Sequence, residues 1–340
     1  MHLKKLLITS TIIAATSISN NTVADIKISG EQEWNYLDAG GSFKSTLGSS
    51  TSFTFTGTGD LSNGISYLVK FTLEDGDQSY RVITFDLGSG LKLGIGYDQS
   101  YGIETVKAIS PYVNNRRAHI TGAHRGFPTA ARKPLGPDVW DTSSLENAIG
   151  LSFKNDLAAI SFGFTPVRDV NTSTDEIAAS SATSSEYGTA SSIGVKLTPV
   201  DGLTIGFGTS SEESDATANS DPKGTTIGFQ YKIGSFAIGY QEIENELDDT
   251  TTQRVTTTEI QEGGVAYKVN DALTIGVFAA NINYLTVNTD NGVETGMGIV
   301  QVGYNLGPAV IQYDYADGSD LNSTKDTEYE IHKVKIKVLF

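Results

Sequence analysis

The chain has 340 residues, a formal net charge of −16, no cysteine, 36 glycines and 8 prolines. The acidic excess argues against nucleic acid as a partner, because nucleic-acid-binding surfaces are basic. The lack of cysteine excludes disulfides and thiolate metal sites, and no apolar run after the N-terminal region reaches the ~18 residues of a membrane-spanning helix.

Residues 1–24 have the organisation of a secretory signal peptide. Two lysines precede a mildly apolar run, and Ala24 leaves a small residue before a cut at Asp25. Cleavage near Ser19 and an uncleaved anchor helix are the alternatives, although the run is short and polar for crossing a bilayer. Removing this segment takes away two lysines and no acid, so the charge of the mature chain, residues 25–340, changes from −16 to −18.

The mature chain alternates apolar and polar side chains in segments of about ten residues, which is the pattern of barrel strands. Tight turns and longer polar loops alternate between these segments. The turns fall at 60–64, 88–90, 155–156, 199–202, 233–235, 270–271 and 306–308. The loops fall at 37–50, 74–80, 98–146, 166–188, 209–224, 242–257, 284–294 and 316–327. These connections predict sixteen antiparallel strands in a single β-domain.

The two faces of these strands differ in polarity. Phe53 and Phe55 alternate with Ser52, Thr54 and Thr56, and nearly every strand repeats this arrangement. An even strand number with alternating tight turns and long loops is typical of an all-β transmembrane barrel that is apolar outside and wet inside. A soluble β-sandwich or β-solenoid is the alternative, but a sandwich needs a dry core and the second face is polar here.

The chain ends on a strand of the same kind. Val334, Ile336 and Val338 alternate with lysines, and Phe340 is the last residue. One apolar face and one charged face are expected of a closing barrel strand that contacts lipid on one side and water on the other.

The sequence resembles the Gram-negative general porins over the whole mature chain. Residues Phe85–Gly96 are similar to the family's fourth strand, turn and fifth strand, and Glu146–Phe153 to the strand that follows the third loop. The third loop, 98–146, is the longest, and Phe340 matches the terminal aromatic residue of the family. The chain departs from the pattern at Arg125–Pro128, where the family has an acidic stretch, so the family's selectivity residues do not carry over.

The resemblance implies an outer-membrane homotrimer that carries small hydrophilic solutes by passive diffusion. It also implies that the third loop folds into the lumen and that Phe340 is recognised by the barrel-assembly machinery. Outer-membrane lipid and lipopolysaccharide are the implied surroundings. A substrate-specific channel with a binding site and an adhesive barrel with a closed lumen remain alternatives.

The third loop is rich in basic residues. Between residues 105 and 137 there is no Asp or Glu. The predicted constriction residues are Lys107, Arg116, Arg117, His119, His124, Arg125, Arg132 and Lys133. Inside a narrow pore these charges would favour anions. Alternatively they pair with the wall carboxylates Glu31, Glu33 and Asp86 and only hold the loop in place.

A second set of cations is predicted on the lumen wall. It comprises Lys27, Lys92, Lys154, Lys196, Lys232, Lys268 and Lys335, near the turn-side ends of their strands, with Lys70 further along its strand. The turn-side set predicts a lysine collar at the periplasmic mouth, which would add to an anion preference. The alternative is that these lysines only solubilise the rim.

No catalytic or cofactor motif occurs in the sequence. It contains no H-E-x-x-H, G-x-S-x-G or phosphate-binding loop, and only four histidines. We therefore expect a channel rather than an enzyme, without metal or cofactor.

Overall fold

The computed structural model describes residues 25–39, 45–75, 77–97, 101–106, 109, 148–165, 189–213, 223–246, 255–286, 294–319 and 328–340. The first eight strands are β1 (Asp25–Ala39), β2 (Thr46–Asp60), β3 (Ser66–Glu74), β4 (Asp77–Gly88), β5 (Leu91–Tyr97), β6 (Ala148–Lys154), β7 (Ala158–Thr165) and β8 (Ala190–Leu197). The others are β9 (Leu203–Glu212), β10 (Lys223–Ile233), β11 (Phe236–Glu246), β12 (Val255–Lys268), β13 (Leu273–Thr286), β14 (Glu294–Asn305), β15 (Ala309–Ser319) and β16 (Glu328–Leu339).

The strands form one closed barrel. Each strand pairs with its sequence neighbours, and β16 pairs antiparallel with β1, so the sheet has no free edge. The prediction of a sixteen-stranded antiparallel barrel is confirmed. One loop prediction was wrong: residues 74–80 do not form a long loop, because β3 ends at Glu74, β4 begins at Asp77 and these two residues pair directly.

The outer face is apolar because side chains alternate across each strand. Phe229, Ile238, Val265 and Val277 are all exposed on this face. In the part of the chain that the structure describes, no helix is long and apolar enough to cross a membrane.

The seam between β1 and β16 is closed by the end of the chain. The Gly30 N–H donates to the carbonyl oxygen of Phe340 at 2.8 Å, and the Phe340 N–H donates back to Gly30 at 3.0 Å. The Phe340 ring lies directly over Gly30, where a side chain would overlap it, and meets Phe53 edge to face at 5.9 Å between centroids.

Toward the long-loop end, the inner faces of β11 to β16 are less polar than expected, although Gln241, Asn245 and Glu262 also lie on them. Their inner faces carry a buried apolar patch, which comprises Ile243, Ile260, Phe278, Ala280, Ile282, Met297, Ile299, Ala316 and Ile331. Their outer faces there carry exposed polar residues such as Glu244, Glu259 and Asn281. The prediction of a polar inner face is wrong in this region, because these inner side chains are packed away from water.

Candidate functional site in the barrel lumen

The segment that follows β5 lies against the inside of the barrel wall. We call residues 101–106 and 109 the strap; it includes a 3-10 turn at Gly102–Thr105. The Tyr101 ring covers Gly94 of β5 and Gly150 of β6 so closely that a methyl group on either glycine would overlap it. Tyr101 also hydrogen-bonds to Thr84 of β4. The strap therefore starts on the inner face of β4 to β6.

Glycines in the wall make room for the rest of the strap. A Cβ at Gly194 would overlap the carbonyl oxygen of Gly102, and a Cβ at Gly208 would lie 2.7 Å from the Ile103 side chain. Gly102 itself has φ +64, a conformation that side chains with a Cβ disfavour. The close approach of strap and wall therefore depends on glycine on both sides.

Polar wall residues satisfy the backbone of the strap. The Ser161 hydroxyl accepts a hydrogen bond from Gly102 N–H at 2.8 Å. Gln241 accepts one from Ile109 N–H at 3.2 Å and donates to the Val106 carbonyl at 3.2 Å. Gln230 donates to the Ile109 carbonyl at 3.0 Å. The strap thus runs across the inner wall from β6 to β11, and buried amide and carbonyl groups hold it there.

All predicted constriction residues lie outside the described residues. They are Lys107, Arg116, Arg117, His119, His124, Arg125, Arg132 and Lys133. The strap places the first part of the third loop inside the barrel, and the positions of its cations stay a prediction.

The wall carboxylates Glu31 and Glu33 bind lysines of the neighbouring strand β16. The Lys335 ammonium lies 3.0 Å from Glu33 Oε1, in a pair that is almost fully buried, and Lys337 pairs with Glu31. Asn35 also donates to Glu33 at 2.9 Å. These contacts stabilise the β1–β16 seam, and they place Lys335 in a buried pair rather than at an open rim.

Two further lysines of the predicted collar lie next to carboxylates. Lys268 contacts Asp271 at 2.7 Å, and its hydrogen bond and charge hold the pKa of that exposed turn carboxyl below its usual range. Lys92 lies directly across from Asp86, whose carboxylate accepts the Gly88 N–H at 2.9 Å. The positive charge of Lys268 and Lys92 is therefore partly offset.

Three lysines gather on the inner wall near the short-turn ends of β6, β8 and β10. Ala159 of β7 pairs with Lys154 on one side and with Lys196 on the other, and Lys196 in turn pairs with Gly206 of β9. Among the described residues, the charges that act on Lys196 are those of Lys154 and Lys232. We call Lys154, Lys196 and Lys232 the lysine shelf. Lys27 is exposed on the inner face of β1, away from this shelf.

A second stretch of inner wall is open to the lumen. Its residues are partly exposed and mostly hydroxylated: Ser50, Ser52, Thr54, Thr56, Lys70 and Thr72 on β2 and β3. The Thr54 and Thr72 hydroxyls lie 3.0 Å apart. Across the barrel, Ser161, Ser192, Ser210 and Thr226 face inward but are buried. Among the described residues above the level of the lysine shelf, the inner wall of β2 and β3 is therefore more exposed than that of β7 to β10.

Sequence reasoning missed the strap and its seat. Gly94, Gly150, Gly194, Gly206 and Gly208 all fall on the inward register of their strands, and this recurrence is the signal that could have revealed a close backbone approach. No group of three or more histidines and carboxylates that could hold a metal occurs among the described residues.

The sequence matches the Gram-negative porin family over residues 9–321. No curated protein matches it. Among solved structures, Salmonella typhi OmpF in complex with daunomycin has a TM-score of 0.68 at 12% identity, covering 93% of this chain and 97% of that one. An anion-selective porin from Comamonas acidovorans has a TM-score of 0.63 at 12% identity, covering 94% and 100%. A loop-deletion variant of OmpT from Vibrio cholerae has a TM-score of 0.64 at 13% identity, covering 94% and 100%.

These structural likenesses establish the fold, and the family match extends over most of the sequence. The closed barrel, its apolar outer face and the loop segment held inside the lumen agree with that match. The chain belongs to the Gram-negative porin family and is an outer-membrane porin channel.

Proposed function

We propose that this porin lets small hydrophilic solutes diffuse passively through its lumen, with a preference for anions. The observation that carries the proposal is the strap, because it places the start of the third loop, residues 101–106 and 109, inside the barrel. That loop continues into a stretch, 105–137, with six Lys or Arg residues and no acid. Positive charge in a narrow, low-dielectric passage raises the local concentration of anions.

The lumen wall supports the same sign of selectivity. The lysine shelf faces the lumen near the periplasmic mouth, and two carboxylates of the inner wall, Glu31 and Glu33, are already paired with lysines of β16. The anion-selective Comamonas porin shows that this fold is compatible with such a preference. We propose no enzymatic activity and no cofactor.

Reversal potentials across a planar bilayer with a potassium chloride gradient test the proposal. We expect chloride to be more permeant than potassium in the wild-type channel. Arg116→Ala/Arg117→Ala should shift the reversal potential toward the unselective value, whereas the control Lys223→Ala at the extracellular end should not. A clear cation preference of the wild-type channel would refute the assignment.

A barrel with a closed lumen is the second candidate, because one observation favours it. The inner face of β11 to β16 carries the buried apolar patch around Ile260, Phe278 and Ile299, which a fully wet pore would not bury. The two candidates differ in conductance, since a closed structural barrel would pass almost no current.

We also propose that the chain is exported and assembled as its family implies. Residues 1–24, a signal peptide on this proposal, lie outside the described residues, and N-terminal sequencing of mature protein should start at Asp25. The barrel-assembly machinery would recognise Phe340, and lipid and lipopolysaccharide would surround the barrel. OmpT of Vibrio cholerae is known in a trimer form, and a homotrimer is the assembly we propose here.

A further inference from the structure

The lysine shelf stands apart from the other cations of the lumen. Lys335 is buried against Glu33, and Lys268 contacts Asp271. Lys154 and Lys232 are exposed near the short-turn end, and Lys196 between them is half-buried. These three side chains therefore form a local excess of positive charge.

This concentration of like charge has an energetic consequence. The ammonium groups repel one another, and burial of Lys196 removes part of the water that would screen them. An anion between them would relieve the repulsion. A multiply charged anion would do so most effectively, because each lysine acts as a compact point charge.

The strap forms a roof over the shelf. On β7, β8 and β10 the residues that contact the strap are Ser161, Gly194 and Gln230. On β8 and β10 these contacts lie two positions above Lys196 and Lys232, a rise of about 7 Å. On β7, Ser161 lies two positions above Ala159, which is in register with Lys154 and Lys196.

The recess lies between the first two lysines of the shelf. Ala159 separates Lys154 from Lys196 in register and brings no bulky side chain between their ammonium groups. On the other side of Lys196, the Ile109 and Val106 side chains of the strap pack on Gly206 of β9, so the strap borders the recess on that side. The recess is bounded by the strap on its extracellular side and opens toward the periplasmic mouth.

We propose that the lysine shelf is a binding site for compact oxyanions with two or more negative charges, such as inorganic phosphate and pyrophosphate. This inference rests on the proposed anion-preferring channel and adds a saturable site to its diffusion path. The site lies on the periplasmic side of the strap. A bound polyanion therefore slows the passage of chloride while it stays there.

Single-channel recordings with inorganic pyrophosphate added to one side at a time test the site. At constant ionic strength, we expect saturable block from both sides. The voltage dependence should be shallow when pyrophosphate enters from the periplasmic mouth and steep from the opposite side, because the site lies near one end of the pore. A current that shows no saturable block by pyrophosphate at constant ionic strength would overturn the proposal.

Three substitutions assign the block to the shelf. Lys196→Gln should raise the half-blocking pyrophosphate concentration about tenfold, the effect of one lost charge-assisted contact. Lys196→Arg should keep it near the wild-type value. Lys223→Gln, the same change at the extracellular end of the same barrel, should leave it unchanged. Equal block in wild type and Lys196→Gln would overturn the proposal.

A binding measurement separates failure of the site from failure of the channel. We expect titration calorimetry of purified protein in detergent to detect pyrophosphate binding, weakened in Lys196→Gln but not in Lys223→Gln. An anion-preferring channel without this binding would overturn the site alone. A barrel that binds pyrophosphate but passes no current would overturn the channel and leave the site in place.

Discussion

Gly194 shows how a missing methyl group decides the path of a loop. The residue sits on the inner face of β8, and the carbonyl oxygen of Gly102 occupies the space that an alanine side chain would need. Backbone atoms cannot move aside as the end of a flexible side chain can. The strap reaches the wall at this point only because the residue is glycine.

We expect Gly194→Ala to loosen the strap. Overpacking against fixed backbone costs about 1–3 kcal/mol, which would lift the strap from the wall for part of the time. Single-channel recordings should then show a noisier open state with altered conductance. The matched control is Gly48→Ala, an inward-facing glycine of β2 with open space around it. Identical traces for the two variants would show that the strap does not depend on this contact.

Phe340 combines two roles that can be tested separately. Its ring packs on Gly30 and Phe53, while its backbone closes the β1–β16 ladder. Phe340→Ala removes only the ring and should lower the stability of refolded protein by about 0.5–1.5 kcal/mol, the value of an aromatic pair. If Phe340 is also an assembly signal, the amount of the Phe340→Ala variant in outer membranes should fall much further than this loss of stability alone would cause.

Gly30→Ala is the control for that experiment. It displaces the Phe340 ring from its seat but keeps the terminal aromatic residue. We expect normal delivery to the membrane and reduced stability in micelles. If the amounts of Phe340→Ala and Gly30→Ala in outer membranes fall equally, the packing of the Phe340 ring, rather than its recognition, limits assembly.

At the scale of elements, the pairing of β1 with β16 decides whether the barrel is closed. The register extends from Glu31 and Leu339 to Ala39 and Ile331, so backbone hydrogen bonds run along most of the seam. The buried ion pair of Glu33 and Lys335 favours this register over others. A slip of one residue would turn these charges toward the apolar outer face.

Breaking this pair should destabilise the closed barrel. Glu33→Gln removes one carboxylate from beside the buried Lys335 ammonium, and because the charge of Asp314 also acts on Lys335, the loss should fall below the about 3–5 kcal/mol of a fully uncompensated buried pair. The double variant Glu33→Gln/Lys335→Gln should lose less stability than the sum of the single variants. Urea unfolding of refolded protein in micelles measures these differences. Additive losses would mean that the two charges do not interact across the seam.

For the whole molecule, the sequence predicted the barrel well and its interior poorly. The strand number follows from the alternating short turns and long loops, and the apolar outer face follows from the alternation of side chains along each strand. The seat of the strap depends on contacts between residues far apart, such as Gly102 with Ser161, and the inward glycines indicate a close approach without identifying the segment that makes it. Alternation also placed Lys335 on the correct face without revealing Glu33 as its partner. The alternation did not predict the buried inner patch around Ile260, because it indicates only which side chains point inward and not whether they contact water.

The structure divides the inner wall into an open half and a covered half. Thr54 of β2 is partly exposed, whereas Ala280 of β13 points inward but is only 3% exposed. Solutes should therefore pass along β2 and β3 and avoid the wall of β11 to β16. Because the chain contains no cysteine, single cysteines can report this difference without background.

We expect a charged, water-soluble thiol reagent to modify Thr54→Cys about tenfold or more faster than Ala280→Cys, since only the first position is in contact with lumen water. Val277→Cys, on the apolar outer face of the same strand, should react poorly in lipid and become reactive in denaturant. Labelling in the presence of denaturant also confirms that each thiol is intact. Similar rates at Thr54→Cys and Ala280→Cys in the folded protein would mean that water reaches the whole inner wall, and the displaced path would be wrong.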